Sequence, residues 1–95
     1  MKNPITPNSV IALSKDQVSC DLSGEVAILD LKAGMYYGLN EIGARIWRLV
    51  KEPKTFRELL DLLLDEYEVE RKDCEKDVSS LLADMARVGL VEIRA

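Results

Sequence analysis

The sequence contains no histidine, and its two cysteines, Cys20 and Cys74, lie far apart with no CxxC spacing. Imidazole acid–base chemistry is therefore unavailable, and a structural zinc site lacks its usual ligands. Neither a GxSxG elbow nor a Walker-type phosphate loop occurs. Asp61, Asp65 and Glu66, and again Asp73 and Asp77, recur at helical spacing among lysines and arginines, which is the pattern of a solvated helix face. With no nucleophile, base or metal set in a credible constellation, the chain is expected to be no enzyme by itself and to need no cofactor or metal.

Long apolar runs are missing as well. No stretch approaches the roughly 20 apolar residues of a membrane span, and Met1 to Val10, with two prolines and one lysine, does not read as a secretory signal. Two thiols in such a chain are expected to be free, and the cytoplasm is the expected compartment. Positive charge is scarce. The net charge is −4, and between Glu52 and Asp77 ten acids face five bases. A duplex-binding helix usually carries the opposite sign, which argues against nucleic acid as a partner.

What is present is one domain's worth of core: 95 residues support a single domain over residues 1–95 and no second one. Pro4 and Pro7 predict an extended arm over residues 1–8. Ser9 to Leu13 is β-favouring and reads as a short strand or an arm laid on the core. Val18 to Leu22 and Glu25 to Leu31, joined at Ser23-Gly24, predict a hairpin. Met35 to Leu39 adds a third strand after the Lys32-Ala33-Gly34 turn, where Gly34 supplies a positive φ. On that strand Met35, Tyr37 and Leu39 share one face, expected to meet the helices, and Tyr36 and Gly38 the other. The chain turns helical at once afterwards, so this strand is expected to be an open edge.

Three helices follow. Asn40 predicts an N-cap for a helix over Glu41 to Lys51, with Ile42, Ile46, Leu49 and Val50 as its apolar stripe, Glu41 and Arg45 pairing outside, and Trp47 as a core anchor. Thr55 and Glu58 form a capping-box pattern for a second helix whose Phe56, Leu59, Leu60, Leu63 and Tyr67 face inward. A third helix over Arg71 to Val88 gathers Cys74, Val78, Leu81, Leu82 and Met85 on one side. Gly89 then sits where a left-handed cap belongs, with Leu90 folding back on Met85. Leu90 to Ile93 is left as a last short strand or a wing remnant, and both cysteines are expected to be buried or half-buried. The order βββααα predicts an α+β, winged-helix-like domain: a three-stranded antiparallel sheet followed by three helices.

An open edge supplies a binding mechanism. An extended peptide adds to the unpaired strand, its backbone completing the ladder while alternate side chains enter flanking pockets. The candidate contacts are Met35, Tyr36, Tyr37, Gly38 and Leu39 on the strand, with Asp77, Val78, Leu81, Leu82 and Met85 on the third helix as the opposite wall. Gly38 leaves room for a close backbone approach. The same edge also predicts an edge-strand dimer of the free protein.

The run from Gly34 to Trp47, GMYYGLNEIGARIW, resembles the signature of the PqqD-like family, and more closely its stand-alone recognition elements in lasso-peptide gene clusters. The resemblance extends from about Val18 to Val91, the later part in helix layout more than in residue identity. It implies a winged-helix-like domain that grips the leader of a ribosomally made precursor peptide, the leader becoming a fourth strand between the third strand and the third helix. It further implies a leader with a tyrosine and a proline a few residues apart, suited to a groove lined by Val78, Leu81 or Leu82. The implied partners are that precursor leader, a separate leader peptidase and the cyclase. Three other readings stay open: delivery of a quinone-cofactor precursor peptide to a radical enzyme, a winged-helix DNA-binding regulator, and a structural subunit whose edge is capped by a partner protein. Asp73, Asp77 and Asp84 either keep the domain in solution or meet a basic residue of the leader; the sequence favours the first.

Overall fold

The computed structural model of the protein describes residues 5–15 and 17–94. Two three-stranded antiparallel sheets and three helices make up the fold. In chain order the elements are β1 (Val10–Leu13), β2 (Gln17–Leu22), β3 (Glu25–Asp30), β4 (Met35–Leu39), α1 (Glu41–Leu49), β5 (Lys54–Thr55), α2 (Phe56–Glu66), α3 (Arg71–Arg87) and β6 (Val91–Arg94). The meander β2-β3-β4 and the three helices are those the sequence predicts. The second sheet, β5-β1-β6, is an addition to them. It settles the status of the two segments the sequence leaves open: β1 lies between β5 and β6, pairing from Val10 against Arg94 to Leu13 against Val91.

Local chemistry explains most boundaries. Ser23-Gly24 turns β2 back on β3, so that Leu22 lies opposite Glu25. Gly34 has a φ of 67°, and the Asp30 carboxylate accepts from the Lys32 and Ala33 amides at 3.0 and 3.2 Å. The Thr55 hydroxyl accepts from the Glu58 amide at 3.1 Å while the Glu58 carboxylate accepts from the Thr55 amide at 2.9 Å, completing the capping box. Glu58 consequently titrates below the usual carboxylate range, chiefly through that backbone amide. At the end of α3 Gly89 takes a φ of 83°, and the Leu90 amide donates to the Met85 carbonyl at 2.8 Å, the Schellman bond that folds the chain back toward β6.

One core joins both sheets. Ile11 of β1, Val26 and Ile28 of β3, and Ile46 and Trp47 of α1 pack with Leu59, Leu63, Val78, Leu82 and Leu90. α1 packs on β3 and β4, whereas α3 packs on α2 and β6. Trp47 is fully buried, as a core anchor should be.

Several expectations are corrected. Residues 1–4, part of the predicted arm, lie outside the described residues, as do Asp16 and Ala95. Over Thr6 to Ser9 the arm is not extended but turned: the Ser9 amide donates to the Thr6 carbonyl at 3.0 Å, and the Ser9 carbonyl accepts from Phe56 at 2.8 Å. Cys20 is exposed rather than buried, while Cys74 is buried and both are free. The parity of β2 is set by β3: Ser19 and Asp21 lie opposite the core residues Ile28 and Val26, which sends Val18, Cys20 and Leu22 to the other face. Arg45 pairs with Glu66 at the end of α2, Nε to Oε1 at 2.8 Å, rather than with Glu41. Ile42 is 42% exposed, because the first turn of α1 projects past the core that Ile46 enters.

Candidate functional site

β4 is an edge of its sheet, paired to β3 alone from Val26–Leu39 to Asp30–Met35. Alternate backbone groups of an edge strand point away from its neighbour and are free to bond an incoming chain. Tyr37 and Leu39 pack against the core from the inner face, as predicted. Met35, on the same face by alternation, is 52% exposed because the strand begins beyond the reach of the helices. Tyr36 stands out at 75% exposure on the outer face. Gly38 is exposed, and a Cβ built there would meet nothing within 4 Å, so the backbone at that point lies bare.

The strand's far end is fixed by its junction with α1. Asn40 stays extended at a φ of −73° and a ψ of −175°, and its side-chain carbonyl accepts from the Gly43 amide at 3.0 Å. A Cβ at Gly43 would press on Leu39 Cβ at 3.3 Å and approach Asn40 Oδ1 at 3.5 Å. Glycine is therefore what allows cap, strand and helix to meet so closely.

On the third helix, Asp77 is exposed and Leu81 is partly buried against the core. Val78 is buried yet contributes to the wall of a cavity. Leu82 and Met85 lie in the core, at 0% and 3% exposure, and do not line that cavity. The cavity, an open cleft of about 190 Å³, is lined by Ile42 of α1, Leu63 of α2 and its C-cap Tyr67, Val69 in the following loop, and Asp73, Cys74, Asp77 and Val78 of α3. Only Asp77 and Val78 among these are sequence-predicted site residues. Ile42 escapes a sequence reading because its spacing to Ile46 is that of a core stripe. Val69 does offer a signal: it is an apolar residue set between the acids Glu68 and Glu70.

Electrostatics frames the cavity. The Arg45 guanidinium holds the Glu66 carboxyl below the usual range, and the hydrogen bond in turn raises Arg45, joining α1 to the end of α2 beside Tyr67. Burial pushes the Cys74 thiol up, with Asp77 acting in the same direction and Arg71 against it. A thiol so placed is a small apolar wall rather than a nucleophile. No group of three or more His, Cys, Asp or Glu residues among the described residues could hold a metal ion. Among them, too, no helix is long and apolar enough to cross a membrane.

The outer face of the meander is apolar although it faces solvent. Val18, Leu29 and Tyr36 lie in register across the three strands, followed by a second row of Cys20, Ala27 and Gly38. Val18 and Leu22 are each about half exposed. The inner side of β2 is polar instead, and Asp21 there binds Arg48 of α1 at 2.9 Å.

Comparison with known proteins bears on this arrangement. The solved structure described as "TbiB1 in Complex with the TbiA(beta) Leader Peptide" superposes with a TM-score of 0.81 at 37% identity, over 85% of this chain and 94% of that one. A second, "Lasso peptide synthetase B1 complexed with the leader peptide", gives a TM-score of 0.77 at 26% identity, over 86% and 96% of the two chains. No curated protein matches. The family model for coenzyme PQQ synthesis protein D (PqqD) matches residues 25–91, from β3 to the start of β6. The chain thus belongs to the PqqD family and has the α+β, winged-helix-like fold of its peptide-recognition elements.

Proposed function

We propose that the protein binds the leader segment of a ribosomally made lasso-peptide precursor by strand addition to Met35–Leu39, and presents it to a separate leader peptidase and to the cyclase. The observation that carries this reading is the open edge of β4, which leads into α1, whose Ile42 lines an apolar cavity together with residues of α3. It is supported by two similar structures whose descriptions name bound leader peptides. Backbone pairing along β4 supplies affinity with little demand on sequence, and side chains entering beside α3 supply selection. On the strand the contacts are Met35, Tyr36, Tyr37, Gly38 and Leu39; on α3 they are Asp77, Val78 and Leu81, with Leu82 and Met85 in the core.

The protein contributes proximity rather than chemistry. Holding the leader beside a bound peptidase makes cleavage depend on effective concentration rather than on chance encounter. The apolar row of Val18, Leu29 and Tyr36 is surface of the kind that a protein partner covers, and a strand added to β4 would extend it by one residue. Work of this kind belongs in the cytoplasm. In the absence of a leader, the same edge pairs weakly with a second copy.

A backbone amide NMR titration with the leader peptide encoded nearest the gene tests the reading. Large shifts on Met35–Leu39 and on one face of Asp73 to Met85 are expected. If those residues stay unmoved at saturating peptide, strand addition is wrong.

A further inference from the structure

We infer that the cavity between α1 and α3 takes a long side chain with a cationic tip, a lysine or arginine of the bound peptide. The inference rests on strand addition as proposed above and names what the groove selects. The cavity's link to β4 is Ile42, which lines it and follows Leu39 by three residues in the first turn of α1. An extended chain paired along β4 and running on past Leu39 would reach the cavity. Five lining residues, Ile42, Leu63, Tyr67, Val69 and Val78, give it walls that suit an aliphatic stem. Lysine and arginine bury such stems while keeping their charge near water.

The charge comes from the mouth. Asp73 and Asp77 both line the cavity, both remain exposed, and stand one helical turn apart on α3. Neither makes an ion pair among the described residues. Two neighbouring cations are already engaged: Arg45 of α1 by Glu66, and Arg71, the first residue of α3 itself, by Asp61 of α2. Lys72 and Lys76 are on α3 itself, but at 100° per residue they fall on the side of the helix away from the cavity. Two carboxylates at i and i+4 repel each other in the free protein. An apolar stem ending between them would relieve that repulsion, whereas a neutral or acidic side chain would leave it or add to it. Serving solubility alone would not require these two acids to border the apolar cavity.

The test is a set of anisotropy titrations with the fluorescein-labelled leader encoded nearest the gene, and with variants in which each lysine or arginine in turn is norleucine. One such replacement is expected to weaken binding about fivefold, as for a partly desolvated charge pair. The Asp73→Asn, Asp77→Asn double variant should weaken the native leader by a similar factor and no longer distinguish it from that norleucine peptide. An Asp65→Asn, Glu75→Gln variant, which removes the same charge elsewhere, should behave like the parent protein. The β4 amides are followed in parallel. If they shift on binding but no basic residue matters, or the two effects add independently, the cation pocket is wrong while strand addition stands. If the β4 amides do not shift at all, both fall.

Discussion

The two sheets of this protein are of equal strand number and opposite fate. In β5-β1-β6 the central strand is shielded on both sides, and Ile11 is fully buried. In β2-β3-β4 only the inner face of β3 and part of β4 meet the helices, while β2 turns its apolar residues outward and β4 keeps a bare edge. Apolar content does not separate them, since Val18, Cys20 and Leu22 would suit a core as well as Val10, Ile11 and Ala12 do. Position relative to α1 and α3 decides. The first sheet is spent on stability, and the second is held up by one strand so that the other two are left available.

That contrast can be broken by mutation, and the largest effect should fall on the first sheet. Ile11→Ala is expected to cost about 2–5 kcal/mol in chemical denaturation, as large-to-small changes in packed cores do. Val18→Ala in β2 should stay within about 0.5 kcal/mol, the usual bound for surface changes. Equal losses would mean that the meander is as much core as β1. Next comes Gly38→Val, where the open space around the glycine leaves the fold intact. The added branches should crowd an incoming strand and weaken leader binding about tenfold, or roughly 1.4 kcal/mol. Unchanged affinity at unchanged stability would move the peptide off β4.

Smaller effects sharpen the comparison. Thr55 closes β5 and caps α2 at once, so Thr55→Ala should cost about 1 kcal/mol, with amide exchange loosening β5 and the start of α2 and sparing the meander. The cysteines report the same division by chemistry. Cys20 in β2 should react with a disulfide reagent at the rate of a free thiol, whereas Cys74, buried and held protonated beyond the ordinary thiol range, should lag by orders of magnitude. Similar rates would show that α3 opens readily. The smallest effect is acidic: Glu58 and Glu66 both have lowered folded-state pKa values. Their stabilisation is complete above the unfolded carboxylate value near about 4.3 and is lost as pH falls through the folded values. Glu66→Gln should flatten the acid limb of a melting-temperature profile; an unchanged limb would assign it to other groups.

The sequence discloses this molecule best where one residue acts on its near neighbours. The Asn40 cap, the Thr55–Glu58 box, the turn at Gly34 and the cap at Gly89 are all contacts within five residues, and all are legible. So is the open edge of β4, because the chain turns helical at once after Leu39. Pairing across the chain is harder to read: β1 meets β6 some eighty residues later, and β5 is only two residues long. Face choice also escapes, since β2 shows a plausible core alternation whose parity is fixed only through its register on β3. The candidate site is legible in the sequence as a strand and a helix, but not as a cavity. Its lining includes Ile42, Tyr67, Val69 and Asp73, residues from separate elements whose meeting depends on how α1 and α2 close on α3.

The pairing of Val10 with Arg94 has one more consequence. The first and last strands of the domain lie side by side in one sheet, while the open edge of β4 belongs to the other. Such a unit is modular in the mechanical sense: it can be spliced into a loop of another protein, or have its ends joined by a short linker and be reopened elsewhere, without re-routing the chain through β4.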